Sequence, residues 1–119
     1  NFEPGIYSAR YAGSNASDKE NRDKLIQKLN DLSVNSLDAY YVCCLVGVKH
    51  HDDPMPLISF GTIHGKVSTT SLGSGGFGYD KIFYLDEYKC SMAEMDPKLK
   101  NTISHRAEAV RDFIKKFEY

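Results

Sequence analysis

Four of the nine glycines lie in one short run, Gly73-Ser74-Gly75-Gly76-Phe77-Gly78-Tyr79-Asp80. Such a run lets backbone N–H groups approach a ligand closely, because glycine accepts positive φ and carries no Cβ. Two large rings, Phe77 and Tyr79, stand among its small residues. A mobile loop gains nothing by exposing rings, whereas a loop that stacks a flat ligand does. The run is not a dinucleotide fingerprint, since a short strand rather than a helix is expected after it. It is not a Walker loop either, since no Gly-Lys-Ser/Thr closes it. Taken alone, it fits a plain flexible loop as well as a ring-stacking one.

A second group of donors sits in Lys100-Asn101-Thr102-Ile103-Ser104-His105-Arg106. Lys100, His105 and Arg106 are expected to cluster at a helix start, where the macrodipole is positive and each cation costs roughly a few tenths of a kcal/mol. That cost is offset if an acceptor or anion binds there, and a solvated first turn is the ordinary alternative. His50, His51, Asp52 and Asp53 have the residue types of a metal site. They run into Pro54-Met55-Pro56, however, and read as an exposed turn. His64 stands alone among apolar neighbours and is likewise not read as a metal ligand. Cys43, Cys44 and Cys90 are odd in number and contain no CxxC spacing. They are expected to be buried, reduced thiols in a cytoplasmic protein, not a disulfide framework or a zinc site.

The elements that must position these groups follow from periodicity. Ser17 and Glu20 form a Ser-x-x-Glu capping box, and Leu25, Ile26, Leu29 and Leu32 share one face of a helix over 18–31. Ahead of it, Ile6 to Ala12 reads as extended or irregular after the Pro4-Gly5 turn. Residues 39–48 hold ten uncharged residues without alternation, which predicts a strand covered on both faces. Leu57–Phe60 and Ile63–Val67 predict strands bent or bulged at Gly61 or Gly65. Ile82–Leu85 predicts one more short strand. Asp96-Pro97 predicts a short helical turn, and Ser104 a cap for a longer helix. Ile103, Ala107, Val110, Ile114 and Phe117 are expected to form that helix's buried stripe.

Length and charge set outer limits. The 119 residues suit one domain. A net charge of −1 argues against charge-driven binding of nucleic acid. The absence of any run of 18 apolar residues argues against a membrane span. No basic start with an apolar stretch follows Asn1, so no signal peptide is expected. The lack of an initial Met suggests a processed or cut chain.

Taken in order, Pro4-Gly5-Ile6-Tyr7-Ser8-Ala9-Arg10-Tyr11-Ala12-Gly13, Gly76-Phe77-Gly78-Tyr79-Asp80, Ala93-Glu94-Met95 and Lys100-Asn101-Thr102-Ile103-Ser104-His105-Arg106-Ala107 resemble the inosine triphosphate pyrophosphatase family, also called Ham1-like proteins. The resemblance runs from residue 4 to about 117. It implies a Ham1/Maf-like α/β fold, a mixed twisted sheet flanked by helices, usually homodimeric. It implies Mg²⁺-dependent hydrolysis of inosine, deoxyinosine and xanthosine triphosphates to monophosphate and pyrophosphate, cleaning the nucleotide pool. Carried over by motif, Phe77, Gly78, Tyr79 and Asp80 match the base-binding loop, and Lys100 a substrate-contacting lysine. His105 and Arg106 match the pair that reads the six-position of the base. Two departures stand out. Lys81 replaces the Pro usual after Phe-Gly-Tyr-Asp, and Lys89-Cys90-Ser91 replaces a frequent Gly-Lys-Thr.

Family members extend further on the N-terminal side. The expectation is therefore that residues 1–119 are the C-terminal portion of a single domain. The catalytic Asp and the Mg²⁺ ligands would lie upstream of Asn1, leaving no catalytic or metal-binding residue within this chain. Asp18 and Glu20 are assigned to a helix cap, and Glu94 to structure. Expected partners are a purine nucleoside triphosphate and either a second copy or a complementing N-terminal segment. A catalytically incomplete base-binding or structural module is the alternative reading.

Overall fold

A computed structural model of the chain describes residues 3–117. Residues 1, 2, 118 and 119, the ends of the single domain expected for 1–119, lie outside the described residues. The elements in chain order are a 3₁₀ helix (Gly5–Arg10), α1 (Asp18–Asp31), β1 (Ser36–Gly47), β2 (Leu57–Ser68), β3 (Phe83–Leu85), β4 (Cys90–Ser91), α2 (Pro97–Ile103) and α3 (His105–Phe117). The class is α/β. The four strands form one sheet in the order β1-β2-β3-β4. β3 pairs antiparallel with both neighbours, with Lys66 opposite Tyr84 and Tyr84 opposite Ser91.

The chain divides into two compact units. The first holds residues 1–39 and 65–95. Its core is made of side chains: Leu25 and Leu29 of α1, Ile82, Phe83 and Leu85 around β3, and Met92, Ala93 and Met95 after β4. Helix α1 starts as its cap dictates. Ser17 Oγ accepts from Glu20 N–H, and the Glu20 carboxylate accepts in return from Ser17 N–H. It ends where Ser33 turns to φ +58. The segment before it is not extended. With Pro4 already in the right-handed helical region, Tyr7 N–H reaches the Pro4 carbonyl and the chain coils into a 3₁₀ helix. No buried residue anchors that helix. Asn21, 3% exposed, ties it to α1 by donating to Ala9 O and accepting from Ala12 N–H.

The second unit holds residues 40–64 and 96–119 and is built differently. Its most buried residues are small. Ser59 and Ala109 are both fully covered, and Ser59 Oγ donates to the Ala109 carbonyl at 2.9 Å. Gly61 explains the closeness. A Cβ placed there would lie 2.0 Å from the His105 carbonyl oxygen and 2.4 Å from Ala109 N. A Cβ at Gly47 would lie 2.5 Å from the Phe113 ring. The glycines in β2 therefore do not divide it into two strands, as the sequence suggested. β2 is one continuous strand, and Gly61 makes room for a helix.

Two further expectations are corrected. The apolar stripe of α3 is not buried: Val110, Ile114 and Phe117 are 46%, 51% and 75% exposed, because the helix seats itself through Ala109 instead. Nor is β1 covered on both faces. Its even-numbered residues from Tyr40 to Val46 are exposed and the odd-numbered ones half-buried. The thiols follow their strands: Cys43 and Cys90 are half-buried and Cys44 is exposed, all three free.

Gly61→Ala is expected to lower the unfolding free energy by about 3 kcal/mol, since the clash is with backbone and no rotamer relieves it. Denaturant titration of the variant checks this, and a loss under about 0.5 kcal/mol, the range of ordinary surface changes, would show that the helix is not seated on that glycine.

Candidate functional site

The glycine run folds into a tied turn, not a plain flexible loop. Gly73, Gly76 and Gly78 all take positive φ. Asp80, 5% exposed, closes the turn twice: its carboxylate accepts from Phe77 N–H at 3.1 Å and its own N–H donates to the Phe77 carbonyl at 3.1 Å. A Cβ at Gly76 would lie 2.4 Å from the Asp80 carboxylate, so glycine there leaves room for that closure. Asp80, a predicted substrate contact, thus lies against the loop's own backbone.

Of the two rings, Phe77 is 57% exposed. Tyr79 is anchored by its hydroxyl, which donates to the Ser8 carbonyl at 2.7 Å. Burial pushes its phenol up to about 12, with Tyr11 and Asp18 adding to the effect. The hydroxyl therefore remains a donor at physiological pH. In the same unit Lys24 stands 4.4 Å from the Tyr11 ring centre and donates to the Tyr11 carbonyl, and Arg10 stands 4.9 Å from the Tyr7 ring centre. These cation–π contacts hold the 3₁₀ segment that offers Ser8 to Tyr79.

The second group of predicted residues sits in the other unit, around the joint between α2 and α3. Asp96 caps α2 by accepting from Lys98 N–H, with Pro97 at the first helical position. The joint is Ser104, 8% exposed. Its N–H donates to Lys100 O at 2.9 Å, its hydroxyl accepts from Ala107 N–H at 3.1 Å, and its carbonyl accepts from Glu108 N–H at 3.0 Å. One residue therefore ends α2 and starts α3. His105 and Arg106 occupy the first turn of α3, as expected. Lys100 does not lie at a helix start. It falls in the last turn of α2, where the macrodipole favours a cation. The His105 ring stacks on Tyr41 with centroids 5.0 Å apart and planes 30° apart. Arg106 is exposed.

The seven predicted residues thus fall into two groups, Phe77–Asp80 in the first unit and Lys100, His105 and Arg106 in the second. A groove of about 330 Å³ on the second unit, lined by Phe60, Glu108, Arg111, Asp112 and Lys115, includes none of them. The segment 50–53 is a turn, as expected. Asp53 accepts from Lys49 and Met55 N–H, which holds its carboxyl below the usual range, while His51 and Asp52 pair in the open. His64 is exposed and forms half of an aromatic pair with Tyr40 at 5.1 Å. Among the described residues no three His, Cys, Asp or Glu side chains converge to hold a metal. No helix among them is long and apolar enough to cross a membrane.

Two residues reach the loop that the sequence did not point to. Asp18 accepts from Gly78 N–H at 2.9 Å, and Arg22 donates to the Gly78 carbonyl at 2.9 Å. Their opposite charges at i and i+4 read in sequence as an ordinary pair along one helix. No local pattern records that both head groups turn to a residue some sixty positions away.

A model described as the Ham1 family matches residues 1–116. A protein of Legionella pneumophila (strain Lens) named dITP/XTP pyrophosphatase is 51% identical over 110 residues, covering 92% of this chain and 57% of that protein. One of the same name from Vibrio cholerae is 44% identical over 118 residues, covering 99% and 59%. Among solved structures, a HAM1 protein from Coxiella burnetii superposes with a TM-score of 0.90 at 36% identity, covering 98% of this chain and 60% of that one. The Staphylococcus aureus Ham1 protein gives 0.83 at 37%, with the same coverage. The chain spans a little over half the length of the curated relatives it matches.

The folded state favours protonated Tyr79, so this residue's contribution to stability is complete below about pH 10 and is lost as pH rises toward about 12. In a phenolate absorbance titration, one of the eight tyrosines should ionise near pH 12, and Tyr79→Phe should remove that step. A variant that keeps the late step would show that Tyr79 is not the shielded phenol.

Proposed function

Because this chain belongs to the Ham1 family, we propose that it carries the base-reading part of an enzyme that hydrolyses inosine, deoxyinosine and xanthosine triphosphates to the monophosphate and pyrophosphate, clearing deaminated purines from the nucleotide pool. The observation that supports this most is the tied loop at Phe77–Asp80. It presents one exposed ring and one hydroxyl-anchored ring on a backbone fixed by its own carboxylate. Relatives bearing the name dITP/XTP pyrophosphatase support the substrate class.

In this reading Phe77 and Tyr79 flank the flat purine, and Gly78 keeps the backbone between them thin. Lys100 contacts the substrate. His105 and Arg106 supply donors to the six-position. Hypoxanthine and xanthine carry a keto oxygen there, which accepts. Adenine carries an amino group, which would leave those donors facing another donor. A site built to satisfy one hydrogen bond rejects its mismatch by roughly 10⁴-fold. The first N–H groups of α3 point to the same end of the helix and add to its donor character.

The same reading gives the reaction a Mg²⁺ requirement, the ion serving to neutralise charge on the phosphates. No converging ligand set lies among the described residues. What these residues contribute is recognition: they hold the ring, sense its edge and orient the nucleotide. We further read the chain as part of a single domain in a cytoplasmic homodimer or joined to a complementing segment. Three free thiols suit a reducing compartment, and the exposed apolar residues of β1 and α3 suit a face that another polypeptide covers.

The test is the ratio of affinities for inosine and adenosine triphosphate, measured by calorimetry on the 119-residue chain. Inosine triphosphate should bind more tightly, and Arg106→Ala should cut the preference by roughly a hundredfold. An unchanged ratio would remove Arg106 from the role. Pyrophosphate release from inosine triphosphate with Mg²⁺ measures how much of the chemistry these residues carry unaided. Turnover equal to that of a full-length relative would refute the assignment of catalysis to residues other than these.

A further inference from the structure

Asp18 and Arg22 stand one turn apart on α1 and take hold of the two ends of a single residue. The Asp18 carboxylate accepts from Gly78 N–H, and the Arg22 guanidinium donates to the Gly78 carbonyl, each at 2.9 Å. Both bonds are charge-assisted, the stronger class of hydrogen bond. Arg22 is half-buried, which shields its bond from competing water. Asp18 also stands in the first turn of α1, where the helix dipole keeps a carboxylate in place.

Gly78 is the residue that most needs holding. It lies between the two rings, at φ +58, with nothing within 4 Å of where its Cβ would be. Nothing therefore packs against it on the side a Cβ would occupy, and glycine's own backbone freedom is the largest of any residue. On one side Phe77 N–H is tied to Asp80, and on the other the Tyr79 hydroxyl is tied to Ser8. The Phe77–Asp80 bonds close the turn around Gly78 but make no bond to its own N–H or carbonyl, so loosening Gly78 would let the step between the two rings vary. A loop ordered before its ligand arrives avoids the cost of ordering it on binding.

We infer that Asp18 and Arg22 are positioning residues that clamp Gly78 from α1 and thereby preset the Phe77 and Tyr79 rings for a flat purine. The inference rests on the base-binding reading of the loop given above. It reassigns Asp18, which the sequence placed with the helix cap. The capping is done by Ser17 and Glu20, leaving the Asp18 carboxylate to the loop.

The experiment has two arms on the 119-residue chain. The first is backbone amide hydrogen exchange read by NMR in the wild type, Arg22→Met, Arg22→Lys and Asp18→Ala. Methionine keeps helix propensity and the apolar stem, so α1 should persist. Arg22→Met should speed exchange at Gly78 and Tyr79 by about tenfold, the loss expected for one charge-assisted hydrogen bond, while α3 amides stay unchanged. Asp18→Ala should act most strongly on the Gly78 amide itself. Arg22→Lys, which retains a cationic donor, should recover part of the protection. The second arm is titration with inosine, which carries the base without phosphates. Its dissociation constant should rise about tenfold in Arg22→Met and fall back in Arg22→Lys, in step with the exchange. Unchanged exchange at Gly78 in both Arg22→Met and Asp18→Ala would overturn the clamp. Faster exchange with unaltered inosine affinity would overturn the positioning role. A wild-type chain that binds no inosine would overturn the base-binding reading and the role built on it, while the exchange arm would separately show whether the clamp exists.

Discussion

At Gly61 a helix backbone touches a strand backbone with no side chain between them. The His105 carbonyl and the Ala109 amide occupy the space a Cβ would fill, and Ser59 Oγ fastens the Ala109 carbonyl one strand residue-pair away. Everything in the second unit follows from this closeness. It fixes how closely α3 lies on β2, while Ser104 fixes where that helix begins. It also explains how a unit with so few buried large side chains holds a defined helix: the contact is short, polar and sterically exclusive, in place of a broad apolar interface. Apolar burial is worth roughly 25 cal/mol per Å², so an alanine seat stabilises far less than a leucine seat would, and geometry has to supply the specificity.

The first unit solves the same problem by opposite means. Its helix α1 packs through Leu25 and Leu29 into a conventional core with Ile82, Phe83 and Met92. The polar residues of α1 fasten what lies beside that core. Asn21 fastens the 3₁₀ segment, and Asp18 and Arg22 fasten the glycine loop. One helix thus organises both the segment that receives the Tyr79 hydroxyl and the loop that carries Tyr79. The loop is glycine-rich because its turns need positive φ and closeness to Asp80, and it is ordered because neighbouring polar groups use up the freedom those glycines bring.

What was legible in the sequence was what short-range physics determines. The capping box at Ser17 and Glu20 located α1, and the Asp96-Pro97 and Ser104 signals located α2 and α3, because caps act within four residues. The place of His105 and Arg106 in the first turn of α3 followed from the same cap. What was not legible depended on what lies opposite. Gly61 looked like a break because its partner is α3, more than forty residues on. The stripe from Ile103 to Phe117 looked buried because periodicity reports an apolar face and not whether anything covers it. Tyr40–Val48 looked doubly covered for the same reason. Asp18 and Arg22 looked like helix furniture because their common acceptor and donor, Gly78, has no side chain to advertise a partner.

The α2–Ser104–α3 joint shows how misplacing one residue alters an electrostatic argument. With all three cations at one helix start, the arrangement would oppose the macrodipole three times, and a bound acceptor would be needed to explain it. Lys100 instead lies in the last turn of α2, where the dipole favours it. The unfavourable placement is confined to the first turn of α3. His105 lies there with its ring stacked on Tyr41. Arg106 stands exposed in the same turn. In the proposed reading it is also the group that meets the keto oxygen distinguishing hypoxanthine from adenine. An always-charged, multiply donating head group held at a positive helix end is poorly matched to an amino group and well matched to a carbonyl, so placement and selectivity have one physical origin.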